Sequence, residues 1–139
     1  MRIIGGQWGS RELDHPPASI TRPMPDRVKQ AVFDMLGVRF ECPGEIPPVL
    51  VADFFSGSGS LGLEALSRGA KHCWFHERER SALAVLRNNI AALDAGGLAT
   101  VVTGDAWRCE HRGTEHGPYQ LIFLDPPYRD AMNAGDDGA

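Results

Sequence analysis

The sequence predicts an α/β fold built on a parallel sheet of four strands. Four short segments are almost continuously apolar: residues 49–53, 72–76, 99–103 and 120–125. Amphipathic segments at residues 61–68, closed by Gly69, and 82–93 predict helices between the first three strands. Apolar strands that alternate with helices are typical of a parallel sheet covered on both faces. Ligands of such sheets bind beyond the carboxyl ends of the strands.

Length and composition are those of one soluble globular domain. The 139 residues are 42% hydrophobic and 23% charged, and no segment approaches the roughly 18 apolar residues that span a bilayer. No signal peptide is recognisable. The three cysteines, Cys42, Cys73 and Cys109, form no CxxC motif and fit a reducing compartment. We expect a cytoplasmic protein with no membrane partner.

Residues 1–40 are expected to form an N-terminal extension, followed by a linker at residues 41–48. Glycine turns break residues 2–14 into short predicted strands, and prolines make residues 15–25 an extended loop. Residues 1–39 carry six arginines and lysines against four acids, whereas the rest of the chain carries eight against fourteen. A basic arm could contact nucleic-acid phosphates, but charge alone favours an ordinary solvated surface.

The first helix is predicted to begin near Asp26 and to end at Gly37. Its apolar residues recur at helical spacing and predict one packed face: Val28, Ala31, Val32, Met35 and Leu36. Three polar residues lie off this face and are expected to be free for a partner: Arg27, Lys29 and Gln30.

An acidic residue ends or closely follows each predicted strand: Asp53, Glu77, Asp105 and Asp125. One acid at a strand end is common, but four in register indicate a binding site at the carboxyl edge of the sheet. Glu77 can accept hydrogen bonds from ribose hydroxyls, or it can simply favour a helix start. Asp105 can accept a hydrogen bond from an adenine amino group, or it can cap a turn.

The glycine-rich segment at residues 53–62, DFFSGSGSLG, also fits the dinucleotide-binding pattern GxGxxG. In that pattern a glycine directly ends the strand, and the helix N-terminus meets a pyrophosphate. Here Asp53 ends the strand, and its carboxylate would repel pyrophosphate but suits a cationic sulfonium. We therefore expect Asp53, Ser56, Gly57 and Gly59 to bind a methyl donor; a nicotinamide dinucleotide is the distant alternative.

The most specific motif is Asp125-Pro126-Pro127-Tyr128. The prolines stiffen the backbone and remove two amide donors, which leaves carbonyl acceptors beside the Asp125 carboxylate. Such acceptors suit an amino group, and an aromatic ring beside them can stack on a base removed from its helix. The motif predicts a site that aligns a base amine with a sulfonium methyl group. A proline turn that merely ends a strand is the alternative.

Other candidate chemistry is weaker. Cys109, His111 and His116 match no standard metal-site spacing and lack a fourth ligand, so no metal is expected. The serines of the glycine-rich segment have no visible base partner, which argues against a nucleophile.

Together these residues resemble the bacterial small-subunit (16S) ribosomal RNA guanine-N2 methyltransferases of the RsmD type. The resemblance spans residues 1–128 and rests on the opening MRIIGG, on RPMPDRV at residues 22–28, on the glycine-rich segment with LGLEAL, and on DPPY. Pro25 departs from the family, which usually has a small polar residue there. The glycine motif and DPPY also occur in adenine-N6 methyltransferases, so the two N-terminal motifs are what indicate guanine N2.

The resemblance implies a Rossmann-like class I sheet at residues 49–128 that uses S-adenosylmethionine. It implies an N-terminal extension that faces RNA, with Arg22, Arg27 and Pro127 helping to bind ribosomal RNA or the small ribosomal subunit, and a catalytic role for Asp125, Pro126 and Tyr128.

Three further strands normally follow DPPY in this family, whereas residues 129–139 have the composition of a flexible acidic tail. We therefore expect an open edge at the fourth strand, marginal stability of the isolated chain, and self-association through that edge. Two alternatives stay open: an adenine-N6 nucleic-acid methyltransferase, and a truncated fragment that binds S-adenosylmethionine or RNA without catalysis.

Overall fold

A computed structural model describes residues 1–17, 23–106 and 117–126 and confirms the predicted α/β fold. The strands are β1 (Leu50–Asp53), β2 (His72–Glu77), β3 (Ala99–Thr103) and β4 (Leu121–Phe123). The α-helices are α1 (Asp26–Arg39), α2 (Ser60–Ser67) and α3 (Arg80–Ala92). All strand pairings are parallel, in the order β3-β2-β1-β4. In these ranges, no helix is long and apolar enough to cross a membrane.

The sheet brings the four acidic residues to one edge. Asp53 and Glu77 are the last residues of β1 and β2, and Asp105 and Asp125 each follow two residues after the end of β3 and β4. Asp53 pairs with Phe123, the last residue of β4, so the ends of the two strands are level. The predicted placement of all four acids at the carboxyl edge is confirmed.

The three described helices cover one face of the sheet, which holds the core. The crossovers from β1 to β2 and from β2 to β3 run in the same direction, so their right-handed twist places α2 and α3 on the same side. Helix α1 joins them through Phe33, whose ring centroid lies 5.8 Å from that of Phe123. Residues 107–116, between β3 and β4, lie outside the described residues, so cover on both faces stays a prediction. The other face carries Trp74, which packs against Tyr119 at 5.7 Å.

Strand β4 lies at one end of this sheet and, among the described residues, pairs with β1 alone. Two large apolar residues are exposed here: Ile122 by 50% and Leu124, just after the strand, by 62%. Self-association through this edge stays a prediction, and residues 129–139 lie outside the described ranges.

Helix α1 packs only in part through the predicted residues: Val32 and Leu36 lie half-buried against the core. Its buried positions are Lys29, Phe33 and Gly37, whereas Val28 and Met35 are 40% and 64% exposed. The predictions of a free Lys29 and of a helix end at Gly37 are therefore wrong. Gly37 lies inside the helix, which continues to Arg39. A Cβ at this position would lie 3.3 Å from the backbone of the turn at Pro43 and Gly44, so the residue packs closely there. By contrast, the predicted end of α2 at Gly69 is confirmed, with φ at +125°.

A buried carboxylate explains the orientation of α1. Glu64 on α2 pairs with Lys29 Nζ at 3.3 Å and with Arg68 Nε at 2.9 Å, and the three side chains are at most 4% exposed. Lys29 also donates a hydrogen bond to Ser60 Oγ at 2.9 Å. Leaving a charge buried and unpaired costs far more free energy than exposing a valine or methionine. Val28, Ala31 and Met35 of the predicted apolar face are consequently exposed.

The same carboxylate holds the N-terminal segment. Ile4 and Gly5 donate their backbone N–H groups to Glu64 at 2.8 and 2.9 Å. The predicted short strands are present only as one isolated antiparallel bridge, between Arg2 and Glu12, and a 3-10 turn, Gly6–Trp8, follows the amides that bond to Glu64. The segment lies so close to α2 that a Cβ on Gly6 would be 2.0 Å from the Ser67 carbonyl oxygen. Residues 1–14 thus share the core of the sheet.

Replacing Gly62 by alanine should destabilise the fold. A Cβ at Gly62 would lie 2.4 Å from the Phe75 ring and 2.8 Å from Cys73 Sγ, and overpacking of this kind costs roughly 1–3 kcal/mol. Chemical denaturation should show this loss in the free energy of unfolding. Gly97→Ala is the control because nothing lies within 4 Å of its Cβ position. Equal midpoints for the two variants would contradict the packing argument.

Lys29→Met should lower the free energy of unfolding by roughly 3–5 kcal/mol, the usual cost of breaking a buried ion pair from one side. The control is Arg27→Met on the exposed side of the same helix, which should change the value by less than about 0.5 kcal/mol. Thermal and urea unfolding of both variants measure the difference. A Lys29→Met protein as stable as the control would refute a central role for this pair.

Candidate active site

The candidate site lies where β1 and β4 meet. The chain leaves β1 toward β2 and β3 on one side, whereas β4 lies on the other side of β1. Connections that diverge from neighbouring strands leave a crevice at their carboxyl ends, which is where open α/β sheets bind ligands. The glycine-rich loop after Asp53 and the residues after β4 therefore border the same crevice.

Two glycines shape the loop between β1 and α2. Gly57 and Gly59 have φ values of +54° and +86°, a left-handed conformation that costs glycine little. A Cβ on Gly59 would also lie 2.5 Å from Leu86 Cδ1 of α3. The loop closes on itself through the Gly59 N–H, which donates to the Ser56 carbonyl at 2.8 Å. Ser56 is itself buried and donates its hydroxyl to the Asp53 carbonyl at 2.8 Å.

Glu77 supports this loop from the end of β2. Its Oε1 accepts a hydrogen bond from the Gly57 N–H at 2.8 Å. Its Oε2 accepts the N–H groups of Arg78 and Glu79, each at 2.9 Å. Three backbone donors hold the carboxylate in one orientation at a partly exposed position. Each oxygen of a carboxylate has more than one lone-pair direction, so Oε1 keeps acceptor capacity toward the crevice.

Asp53 lies beneath the loop and is only 2% exposed. Its Oδ2 accepts the N–H of Gly62, in the first turn of α2, at 3.2 Å. Burial first, and then the nearby charges of Asp125 and Glu77, raise the pKa of Asp53 to about 7, against the lowering effect of this hydrogen bond. Asp53 is therefore placed to support the loop and to contribute a titratable charge under it.

The remaining predicted site residues that the structure describes differ in their exposure and contacts. Asp105 is 27% exposed at its side chain, with its Oδ2 3.5 Å from Arg78 Nη1. Asp125 is exposed at the crevice, and Pro126 beside it is half-buried. Arg27 is exposed in the first turn of α1. Three predicted site residues lie outside the described residues: Arg22, Pro127 and Tyr128.

The structure thus gathers the predicted donor-binding residues around one loop and one sheet edge: Asp53, Ser56, Gly57, Gly59, Glu77 and Asp105. No cluster of three or more potential metal ligands occurs within residues 1–17, 23–106 and 117–126. The weak candidates Cys109, His111 and His116 lie outside those ranges.

Sequence reasoning missed two buried polar residues, one that anchors the N-terminal segment and one that holds the glycine loop. Glu64 appeared only as part of LGLEAL, and its spacing of four residues from Arg68 was the available signal. Asn89 on α3 donates a hydrogen bond to the Ser58 carbonyl at 2.9 Å and is 2% exposed. No sequence pattern identified Asn89, because its partners are backbone groups far away in the chain.

The sheet order, the glycine loop and the acids at the strand ends define the α/β fold of class I methyltransferases. The chain belongs to the family described as "Conserved hypothetical protein 95", whose model matches residues 1–135. The resemblance inferred from the motifs is thereby confirmed at the level of the family.

Relatives of known name support this assignment. YlbH of Bacillus subtilis (strain 168) is 37% identical over 131 residues, which are 94% of this chain and 68% of the relative. Ribosomal RNA small subunit methyltransferase D of Escherichia coli (strain K12) is 38% identical over 133 residues, 93% of this chain and 61% of the relative. The solved structure of Escherichia coli yhhF is 37% identical with a TM-score of 0.75, over 95% of this chain and 66% of that one. This chain therefore spans about two thirds of the length of these relatives.

Asp53→Asn should change how stability depends on pH. Since the folded-state pKa of Asp53 is raised to about 7 from 3.8, the stability that the neutral carboxyl gives is complete below about pH 4. It is lost as pH rises through 7. An asparagine keeps an acceptor for Gly62 and cannot ionise, so the variant should gain stability relative to the wild type between pH 4 and 8, by roughly 4 kcal/mol.

Urea denaturation across this pH range measures the difference. Asp94→Asn, the same change at an exposed position after α3, serves as the control and should follow the wild type. A difference between Asp53→Asn and wild type that stays constant from pH 4 to 8 would show that Asp53 does not titrate in this window.

Proposed function

We propose that this chain carries the donor site and the amine site of an enzyme that transfers a methyl group from S-adenosylmethionine to guanine N2 in small-subunit ribosomal RNA. One observation carries the proposal. The glycine loop held by Glu77 and the Asp125-Pro126 pair border the same crevice, where the neighbouring strands β1 and β4 end. A donor and an acceptor amine that bind at these two places would therefore be neighbours.

The charges at this edge suit the proposed donor. Asp53, Glu77 and Asp105 surround the loop, and among the described residues the cation that approaches them is Arg78, 3.5 Å from Asp105. An anionic edge favours a ligand with net positive charge, and S-adenosylmethionine carries a sulfonium and an ammonium against one carboxylate. When bound, it supplies an electrophilic methyl group. Glu77 would accept hydrogen bonds from the ribose hydroxyls, and Asp105 from the adenine amino group.

The residues after β4 suit an amino group. Asp125 offers a carboxylate, and Pro126 has no N–H, so the acceptors there face no competing backbone donor from that residue. Two acceptors that hold both N–H bonds would align the nitrogen lone pair with the methyl carbon, and Asp125 would favour the positive charge that develops on nitrogen. Pro127 and Tyr128 would complete this clamp, the latter by stacking on the base.

The choice of ribosomal RNA rests on the relatives. The Escherichia coli relative is named a ribosomal RNA small subunit methyltransferase, and the N-terminal motifs of this chain match that family. Arg27 is exposed and available for a phosphate, and Arg22 is a second proposed contact to the RNA. The proposed compartment is the cytoplasm, where ribosomal subunits are assembled.

Glu77→Gln should weaken the binding of S-adenosylmethionine by on the order of tenfold or more, because an amide replaces one charged acceptor of hydrogen bonds. Isothermal titration calorimetry on folded protein measures the affinity. Glu79→Gln is the matched control, since Glu79 is exposed two residues further along. The donor assignment fails if the wild type binds no S-adenosylmethionine, or if the two variants bind it equally well.

Methyl transfer is tested with radiolabelled S-adenosylmethionine, offered with small ribosomal subunits and with adenine-bearing DNA in parallel. Label in guanine N2 of the ribosomal RNA supports the proposal. Label in adenine N6 would indicate the other nucleic-acid methyltransferase, and donor binding without transfer would indicate a binding fragment.

A further inference from the structure

Asn89 is a buried polar residue next to the glycine loop, and it takes no direct part in the proposed reaction. Its Oδ1 accepts the backbone N–H of Asp14 at 2.8 Å. Its Nδ2 donates to the carbonyls of Asp14 at 3.0 Å and Ser58 at 2.9 Å. One N–H and two carbonyls around a side-chain amide permit one orientation of its oxygen and nitrogen, because each atom then meets its complement. All the bonding capacity of the Nδ2 group is used.

Through Ser58, Asn89 fixes one particular peptide group of the loop. The peptide that joins Ser58 to Gly59 has its carbonyl held by Asn89 and its N–H held by the Ser56 carbonyl at 2.8 Å. Glycines with positive φ stand on both sides of Ser58. Glycine tolerates both signs of φ, so the peptide that precedes Gly59 rotates at low cost unless its ends are bonded. Asn89 supplies the bond to the carbonyl end.

Through Asp14, Asn89 also joins the loop to the N-terminal segment. The two hydrogen bonds to the backbone of Asp14 resemble those between neighbouring strands. A second contact lies nearby, where the Ser58 hydroxyl is 3.2 Å from Met1 Sδ. Asn89 on α3 thus contacts both the glycine loop and the N-terminal segment. The start of the same segment is anchored to α2 by Glu64.

We propose that Asn89 is a positioning residue for the donor site: it holds the Ser58–Gly59 peptide in one orientation and so keeps the loop ready for the donor. The inference rests on the proposed function, since it assumes that the loop binds the donor. Asn89 itself is buried behind the loop and acts through the backbone. Preorganised backbone removes an ordering cost from binding, so its loss should appear in affinity as well as in stability.

The test compares Asn89→Asp with Asn88→Asp. Asn88 is the preceding residue on α3 and is exposed, so the two variants carry the same charge change one residue apart. A carboxylate at position 89 would face two carbonyl oxygens with no hydrogen to donate. We expect Asn89→Asp to bind S-adenosylmethionine on the order of tenfold more weakly than Asn88→Asp at pH 8, measured on the folded fraction.

The pH dependence of donor affinity in the folded protein is a second readout. A residue that only stabilised the fold would not change it. A protonated carboxyl at position 89 regains one O–H donor, so the affinity of Asn89→Asp should recover toward that of Asn88→Asp as pH falls to about 5.5; a carboxyl buried against carbonyls is protonated more readily than a free one. The charged groups around this position, Arg11 on the Ala92 carbonyl and the exposed Asp14 side chain, are the same in both variants and cancel in the comparison.

Asn89→Ala is the second variant, in case Asn89→Asp does not fold at pH 8. It removes all three hydrogen bonds without adding a charge, and it should weaken donor binding at every pH. Weakened binding by either variant, with recovery of Asn89→Asp alone at low pH, supports the proposal. Donor affinities of folded Asn89→Asp and Asn89→Ala equal to that of Asn88→Asp overturn it and leave the proposed function standing. A wild type that binds no donor overturns the proposed function itself.

Discussion

The architecture depends on one buried carboxylate. Glu64 accepts two N–H groups from the N-terminal segment and pairs with Lys29 and Arg68, so four donors from three parts of the chain meet at one side chain. Such a group is tolerated in the interior only with all these partners in place. The arrangement therefore fixes where α1 and the N-terminal segment lie against α2. It also places the first turn of α2 next to Lys29, which reaches Ser60.

The glycine loop that precedes α2 is supported by residues of three different elements. Glu77 of β2 holds the Gly57 amide, Asn89 of α3 holds the Ser58 carbonyl, and Asp53 of β1 holds the first turn of α2. A loop that contains two glycines in left-handed conformation would otherwise sample many shapes. Rigid elements thus supply the order that the glycines cannot supply themselves, which is how a loop with little side-chain volume becomes a defined ligand surface.

The sequence was most informative where one physical rule dominated. The strands and their carboxyl-end acids follow from apolar runs and parallel topology, and all of these predictions hold. The predicted packing of α1 was only partly right, because hydrophobic periodicity was weighed without the pairing of Lys29 with Glu64, which are 35 positions apart in the chain. Asn89 could not be predicted for the same reason, since its partners are backbone atoms brought close by folding. Long-range pairing of buried polar groups leaves no periodic signature.

The raised pKa of Asp53 links the crevice to the acidity of its surroundings. Near neutral pH this buried carboxyl is divided between its neutral and ionised forms, because its pKa is about 7. A cation that settles close to it favours the ionised form, so uptake of a positive ligand expels a proton. By reciprocity the affinity for such a ligand falls as protons become abundant. A carboxyl that no ligand needs to touch can in this way set the range of acidity over which the pocket fills.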